Sequence, residues 1–280
     1  MKKVHTIPLL SLLSGAAALV LRGIQNTAEF DPVTGLPLPG GVFGPLLIGL
    51  LVAAGIALCV LVRQLPRETG DGPAFPDAFS TESPSLPVLP VAGILLMLLS
   101  GLLDVATGLG FYGESARVVS GLSAPFALMT GTGDRLSTTA HLLLGVLSIA
   151  SAAALFAAAA ACRRKPDAGF NPALLLVPPL ALVIRLVFSY RAYSINPALM
   201  SYYTELLALV LLTLAFYRLS SFGYRAGRSR LFCLYAAGAV ILSLCAMADA
   251  AHLAALLLYP GCALVLTGFL LLRLQARPSP

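Results

Sequence analysis

Six ionisable residues sit where this chain can least accommodate them. Arg22, Asp104, His141, Arg185, Glu205 and Asp249 each lie inside, or at the end of, a long apolar run. Side chains of this kind within apolar spans face a bundle interior or a watery cavity, where they form ion pairs, proton relays or binding sites. Guanidinium groups can hold anions. An imidazole beside a carboxylate can exchange a proton near neutrality.

Asn196-Pro197 opens another apolar run as an N-cap followed by a first-turn proline. Ser201 and Glu205 continue the Pro197 face at spacings of four. Arg185 shares a face with Ser189 in the same way. Arg185 and Glu205 fall at similar depths on consecutive antiparallel helices, so they are the expected ion pair. Asp104 and Asp249 have three readings: helix capping, snorkelling, or pairing with Arg22. Tyr190, Tyr193, Tyr202 and Tyr203 have the form of an interfacial aromatic belt. The candidate ligand-binding set is therefore Arg22, Asp104, His141, Arg185, Asn196, Ser201, Glu205 and Asp249. No residue is assigned a catalytic role.

These residues need elements to carry them, and composition says which. Of 280 residues, 58% are hydrophobic and only 11% charged, with a mean hydropathy of +0.91. A soluble domain carries about a quarter of its residues as charge. Repeated apolar runs near the length that crosses a bilayer make this an all-α, polytopic membrane protein. Eight spans are expected, at 6–25, 42–62, 88–110, 136–161, 171–190, 198–219, 231–250 and 252–273. The first follows Met-Lys-Lys and imitates a secretory signal; with so many spans after it, it reads as an uncleaved helix. The seventh has no turn signal before Tyr259-Pro260-Gly261, so its end can lie beyond residue 250. The apolar stretch 118–130 is short and reads as re-entrant or interfacial.

The net charge of +6 does not point to nucleic acid. On alternate sides of the eight spans, thirteen of the eighteen Lys and Arg residues collect on one side and five on the other. That bias places both termini in the cytoplasm and every candidate site residue in the outer half. Short loops without an outer domain fit a bacterial plasma membrane. The expected divisions are spans 1–2 at 1–62, a flexible cytoplasmic loop at 63–87, spans 3–4 at 88–165 and the remaining four spans at 166–280. The 63–87 loop is rich in Pro, Ser and Gly and reads as a linker, although Phe75 and Phe79 could dock on a partner.

Two halves of the chain resemble each other. "IPLLSLLSGAAALVLR" at 7–22 matches "NPALLLVPPLALVIR" at 171–185, aligning Arg22 with Arg185. "LSGLLDVA" at 99–106 matches "LCAMADAA" at 244–251, aligning Asp104 with Asp249. Two four-helix repeats in parallel orientation would follow, with an axis along the membrane normal. Glu205 has no acidic counterpart in the first half.

Nucleotide-binding, nucleophile-elbow and zincin fingerprints are lacking, and no two histidines have metal-ligand spacing. The five cysteines show no CxxC pattern and read as small core residues. No cofactor is expected. The leading expectation is a transporter or carrier with an outward-facing site for a small polar or anionic solute or a lipid headgroup. One alternative is an accessory, sensory or structural membrane protein with partners at the 63–90 loop. Another is an intramembrane enzyme on a lipid, with His141 or His252 as base. Membrane lipids are the expected surroundings in every case.

Overall fold

The computed structural model describes residues 6–31, 37–65, 75–79, 88–111, 137–162, 170–193, 202–250 and 252–276. The re-entrant reading of 118–130, the Asn196-Pro197 cap and Ser201 lie outside these residues.

Eight helices among the described residues are long and apolar enough to cross a membrane, which makes this a helical membrane protein. Their α-helical parts are α1 (Thr6–Ala28), α2 (Phe43–Arg63), α4 (Val88–Gly108), α5 (Thr138–Ala161), α6 (Val177–Tyr193), α7 (Tyr203–Ser221), α8 (Ser229–Ala246) and α9 (Leu253–Gln275), with 3-10 turns lengthening the spans of α6, α7 and α8. A four-residue helix, α3 (Phe75–Ala78), stands between α2 and α4. Local chemistry sets several ends. The Ser137 hydroxyl accepts from Ala140 N–H to cap α5, and Asn171 Oδ1 accepts from Ala173 N–H at the 3-10 turn leading into α6. The Glu29 carboxylate accepts from the first amides of α2, Phe43 N at 2.5 Å and Gly44 N at 3.0 Å. A negative charge there complements the exposed donors of a helix start.

Helix α8 does not run past residue 250. It tightens into a 3-10 turn over Met247–Asp249, and Ala250 is extended. Leu253 then begins α9, which carries Pro260 inside it. The Tyr-Pro-Gly triplet is thus a helical segment and not a turn. A proline lacks one donor, and in an apolar span neighbouring helices sustain the segment. Gly261 does this by close approach: a Cβ there would meet Gly93 O of α4 at 3.0 Å.

Six helices form a ring in the order α8, α9, α4, α5, α6, α7, with α1 and α2 packed outside α8. A second close seam joins α4 and α5, where a Cβ on Gly101 would lie 2.9 Å from Gly145 O. Small residues let helix backbones approach in lipid, where dispersion and not water drives association. Ser151, Ala154 and Ala158 are buried as that role requires, whereas Ala150 faces outward. Leu9, Leu13, Val52 and Ile56 lie on exposed outer faces, apolar as lipid contact demands.

One end of the bundle is closed by aromatic packing. Phe75 and Phe79 of α3 are 1% and 0% exposed. The Phe75 ring lies 5.2 Å from Phe170, and Phe79 lies 5.1 Å from Phe222, 5.7 Å from Phe232 and 5.5 Å from Phe269. Arg273 Nη1 donates to Ala78 O at 3.2 Å, and Arg230 Nε donates to Leu65 O at 2.8 Å. The 63–87 stretch reads as a linker by composition, yet its two phenylalanines fill the chain's own core. Two large rings one helical turn apart bury enough apolar area to seat a short helix.

Candidate functional site

At the opposite end of the bundle the charged residues gather into two clusters. The first joins α1 to the end of α8. Arg22 is fully buried, and its Nε donates to Asp249 Oδ1 and Oδ2 at 2.8 and 3.1 Å. Its Nη1 donates to Gln25 Oε1 at 2.8 Å. The guanidinium lies between the rings of Tyr203 and Phe30, at 5.3 and 5.7 Å from their centroids. Asn26 Nδ2 donates to Asp249 Oδ1 at 2.9 Å and to Ala248 O at 3.1 Å, satisfying a carbonyl that the helix end leaves open. Thr204 adds its hydroxyl to Asp249 Oδ2.

The second cluster joins α4, α5 and α6. Both terminal nitrogens of Arg185 donate to Asp104 Oδ2 at 3.2 Å. His141 Nδ1 stands 3.4 Å from the other carboxylate oxygen. The His252 ring, at the start of α9, meets His141 edge-on with centroids 5.9 Å apart. Below, Arg185 lines a pocket with Met97, Ser148, Ser151, Pro178 and Leu258 that has room for about one water molecule. His141, Ser148 and Ser151 are buried on α5, so a polar stripe runs from the cluster towards this pocket.

Helix α7 adds two adjacent residues at this end. Thr204 bonds Asp249, while Glu205 accepts from Tyr259 Oη at 2.9 Å.

Arg22, Asp104, His141, Arg185, Glu205 and Asp249 are therefore brought to one end, but the pairing differs from expectation. Arg185 is bonded to Asp104 and not to Glu205. Sequence neighbours on antiparallel helices share depth, but rotation about each axis decides which side chains meet. Arg185 faces α4 and α5. Of the three readings for Asp249, pairing with Arg22 holds, and Asp104 is held by the other arginine.

Sequence reasoning missed Gln25, Asn26, Thr204 and Tyr259. Gln25 and Asn26 follow Arg22 by three and four positions, the spacing that shares a helix face, and were detectable had α1 been extended to Ala28. Of the tyrosines read as a belt, Tyr190 is exposed, Tyr202 is buried and Tyr203 stacks on Arg22. Among the described residues, no three His, Cys, Asp or Glu side chains form a metal-binding group.

Comparison with protein-family models, curated proteins and solved structures finds no match to this chain.

Proposed function

We propose that this chain is a membrane carrier whose binding site for a small anionic or zwitterionic solute, or a lipid headgroup of that charge, is built around Arg185. The observation that carries the reading is the Asp104–His141–Arg185 cluster, a titratable trio buried among three spans beside a water-sized pocket. Buried trios of this composition belong to ion and substrate pathways more than to inert packing. On the positive-inside bias, the clusters face the outside of a bacterial plasma membrane and the phenylalanine-packed end faces the cytoplasm.

The ion pairs also support two four-helix repeats. Arg22 of the first half bonds Asp249 of the second, and Arg185 of the second bonds Asp104 of the first. A two-fold relation between halves generates such a reciprocal exchange. The relation is loose elsewhere: α1 packs broadly along α8, whereas α6 makes no comparable seam with α4.

The test is native mass spectrometry of the detergent-purified protein beside an Arg185→Ala, Glu205→Gln variant. A discrete adduct on the wild type, missing from the equally folded variant, is the expected result. No adduct on either, with only thermal stability lost in the variant, would sink the carrier reading. An accessory or structural role would then stand, a reading favoured by the fully matched Arg22–Asp249 pair.

A further inference from the structure

The α7–α8 hairpin carries a cation that the described residues leave unmatched. Between Glu205 and Asp249 the chain has no acidic residue and four arginines, Arg218, Arg225, Arg228 and Arg230. We infer that Arg218, with Tyr217 and Tyr235 beside it, is a binding site for the phosphate of an anionic phospholipid. The site lies at the phenylalanine-packed end, about 22 Å along α7 from Tyr203 at 1.5 Å per residue. It is separate from both charge clusters and does not rest on the carrier reading.

Three observations lead to it. First, the ion pairs found among the described residues leave Arg218 out, and its Nε is buried with no acceptor. Arg22, Arg185, Arg230 and Arg273 all donate to a carboxylate, a carbonyl or a hydroxyl. The Arg218 residue is only half-buried, so its terminal nitrogens remain within reach of a ligand. Second, the guanidinium carbon lies 5.8 Å from the centroid of Tyr217 on α7 and 5.6 Å from that of Tyr235 on α8. Aromatic rings at this range hold a planar cation by its face and leave its edge free to donate. Third, Arg218 stands in the last turn of α7, where lipid headgroups begin. Tyr217 and Tyr224 are 53% and 52% exposed, as interfacial aromatic residues are. Arg225 and Arg228 are exposed in the turn that follows.

The chemistry selects the ligand. A phosphodiester carries one negative charge on two unesterified oxygens, which the edge of a guanidinium meets with two parallel hydrogen bonds. That contact would satisfy a charge whose burial is otherwise costly in an apolar span. A zwitterionic lipid offers the same oxygens but brings its own cation, and the hairpin has no acid to hold it. An anionic headgroup meets Arg225 and Arg228 favourably as well.

The test titrates phosphatidylglycerol into protein stripped of lipid in neutral detergent and follows the first lipid adduct by native mass spectrometry. Arg218→Gln should weaken that adduct at least about tenfold, as expected for a charge-assisted contact. Arg225→Gln should weaken it by less than about fivefold, as expected for an exposed charge. Equal binding by wild type and Arg218→Gln, or an equal loss in both variants, overturns the site. Phosphatidylcholine should bind the wild type at least about fivefold more weakly, and equal binding of the two lipids overturns the anionic class. Thermal unfolding guards against a structural role. Without lipid, Arg218→Gln should unfold where the wild type does, since no protein acceptor is stranded, and phosphatidylglycerol should stabilise the wild type alone. A variant that unfolds earlier yet gains the full lipid shift marks Arg218 as structural and overturns the proposal. Inorganic phosphate should shift neither chain, and a shift equal to that of the lipid would overturn a lipid site. Should Arg218→Gln fail to fold, Tyr235→Leu decides: a loss of about twofold or more is expected, and unchanged binding overturns the proposal.

Discussion

The two arginine–aspartate pairs use the same chemistry and are built to different tolerances. Asp249 receives Arg22 Nε at both oxygens, Asn26 and Thr204, and Arg22 itself is clasped by Gln25 and two aromatic rings. No histidine is among the hydrogen-bonding partners found for Asp249. Asp104 instead holds Arg185 at one oxygen, with a histidine at longer range and a small pocket alongside. A buried ion pair stabilises little by itself, since desolvation offsets attraction, but its rupture strands a charge. The extra donors around Asp249 make that pair a fixed joint. Their scarcity around Asp104 leaves an adjustable one.

Substitutions can break this contrast. Arg22→Ala strands Asp249, whose ion-pair partner among the described residues is Arg22. It should cost about 3–5 kcal/mol, read as a lost or strongly lowered unfolding transition in detergent. Replacing Arg22 by Met together with Asp249 by Leu should recover most of that loss, because the apolar pair strands nothing. Arg185→Ala should cost less, about 1–3 kcal/mol, since the pair it breaks is made to a single carboxylate oxygen at 3.2 Å. A penalty as large as that of Arg22→Ala would contradict the adjustable joint. Thr204→Val removes one hydroxyl from a carboxylate that keeps its other donors, for about 1–2 kcal/mol. Tyr203→Leu is the mildest, about 0.5–1 kcal/mol from a lost cation–π contact. If Tyr203→Leu proved worse than Thr204→Val, the aromatic clasp and not the hydrogen bonds would define the fixed joint.

Span number and the crowding of charge at one end were legible in the sequence because both follow from quantities that add along the chain. Apolar run length gives the spans, and reversing direction at each one brings the charged residues to the same end. The pairing of Arg185 was not legible. Nearly uniform apolar helices carry little rotational signal, so nothing in α6 indicated whether Arg185 faced α7 or α4. The seating of α3 was hidden for another reason: Pro, Ser and Gly dominate the composition of its loop and mask two phenylalanines four residues apart. Tyr259 was hidden by its neighbours, since Pro260-Gly261 reads as a turn wherever no packed helix such as α4 is known to meet it.

The Arg22–Asp249 bond also sets a schedule. Its partners are 227 residues apart, so at about 5–20 residues per second the ribosome needs roughly ten to forty-five seconds to make the second after the first. Through that interval the guanidinium waits near the end of the first helix, where its stem lets the head group stay in the interfacial water. Insertion of α1 therefore does not depend on Asp249, but docking of α1 does. A helix made early is thus among the last to be locked. A chain stopped short of α8 would hold neither the helix on which α1 packs nor the carboxylate that fixes Arg22.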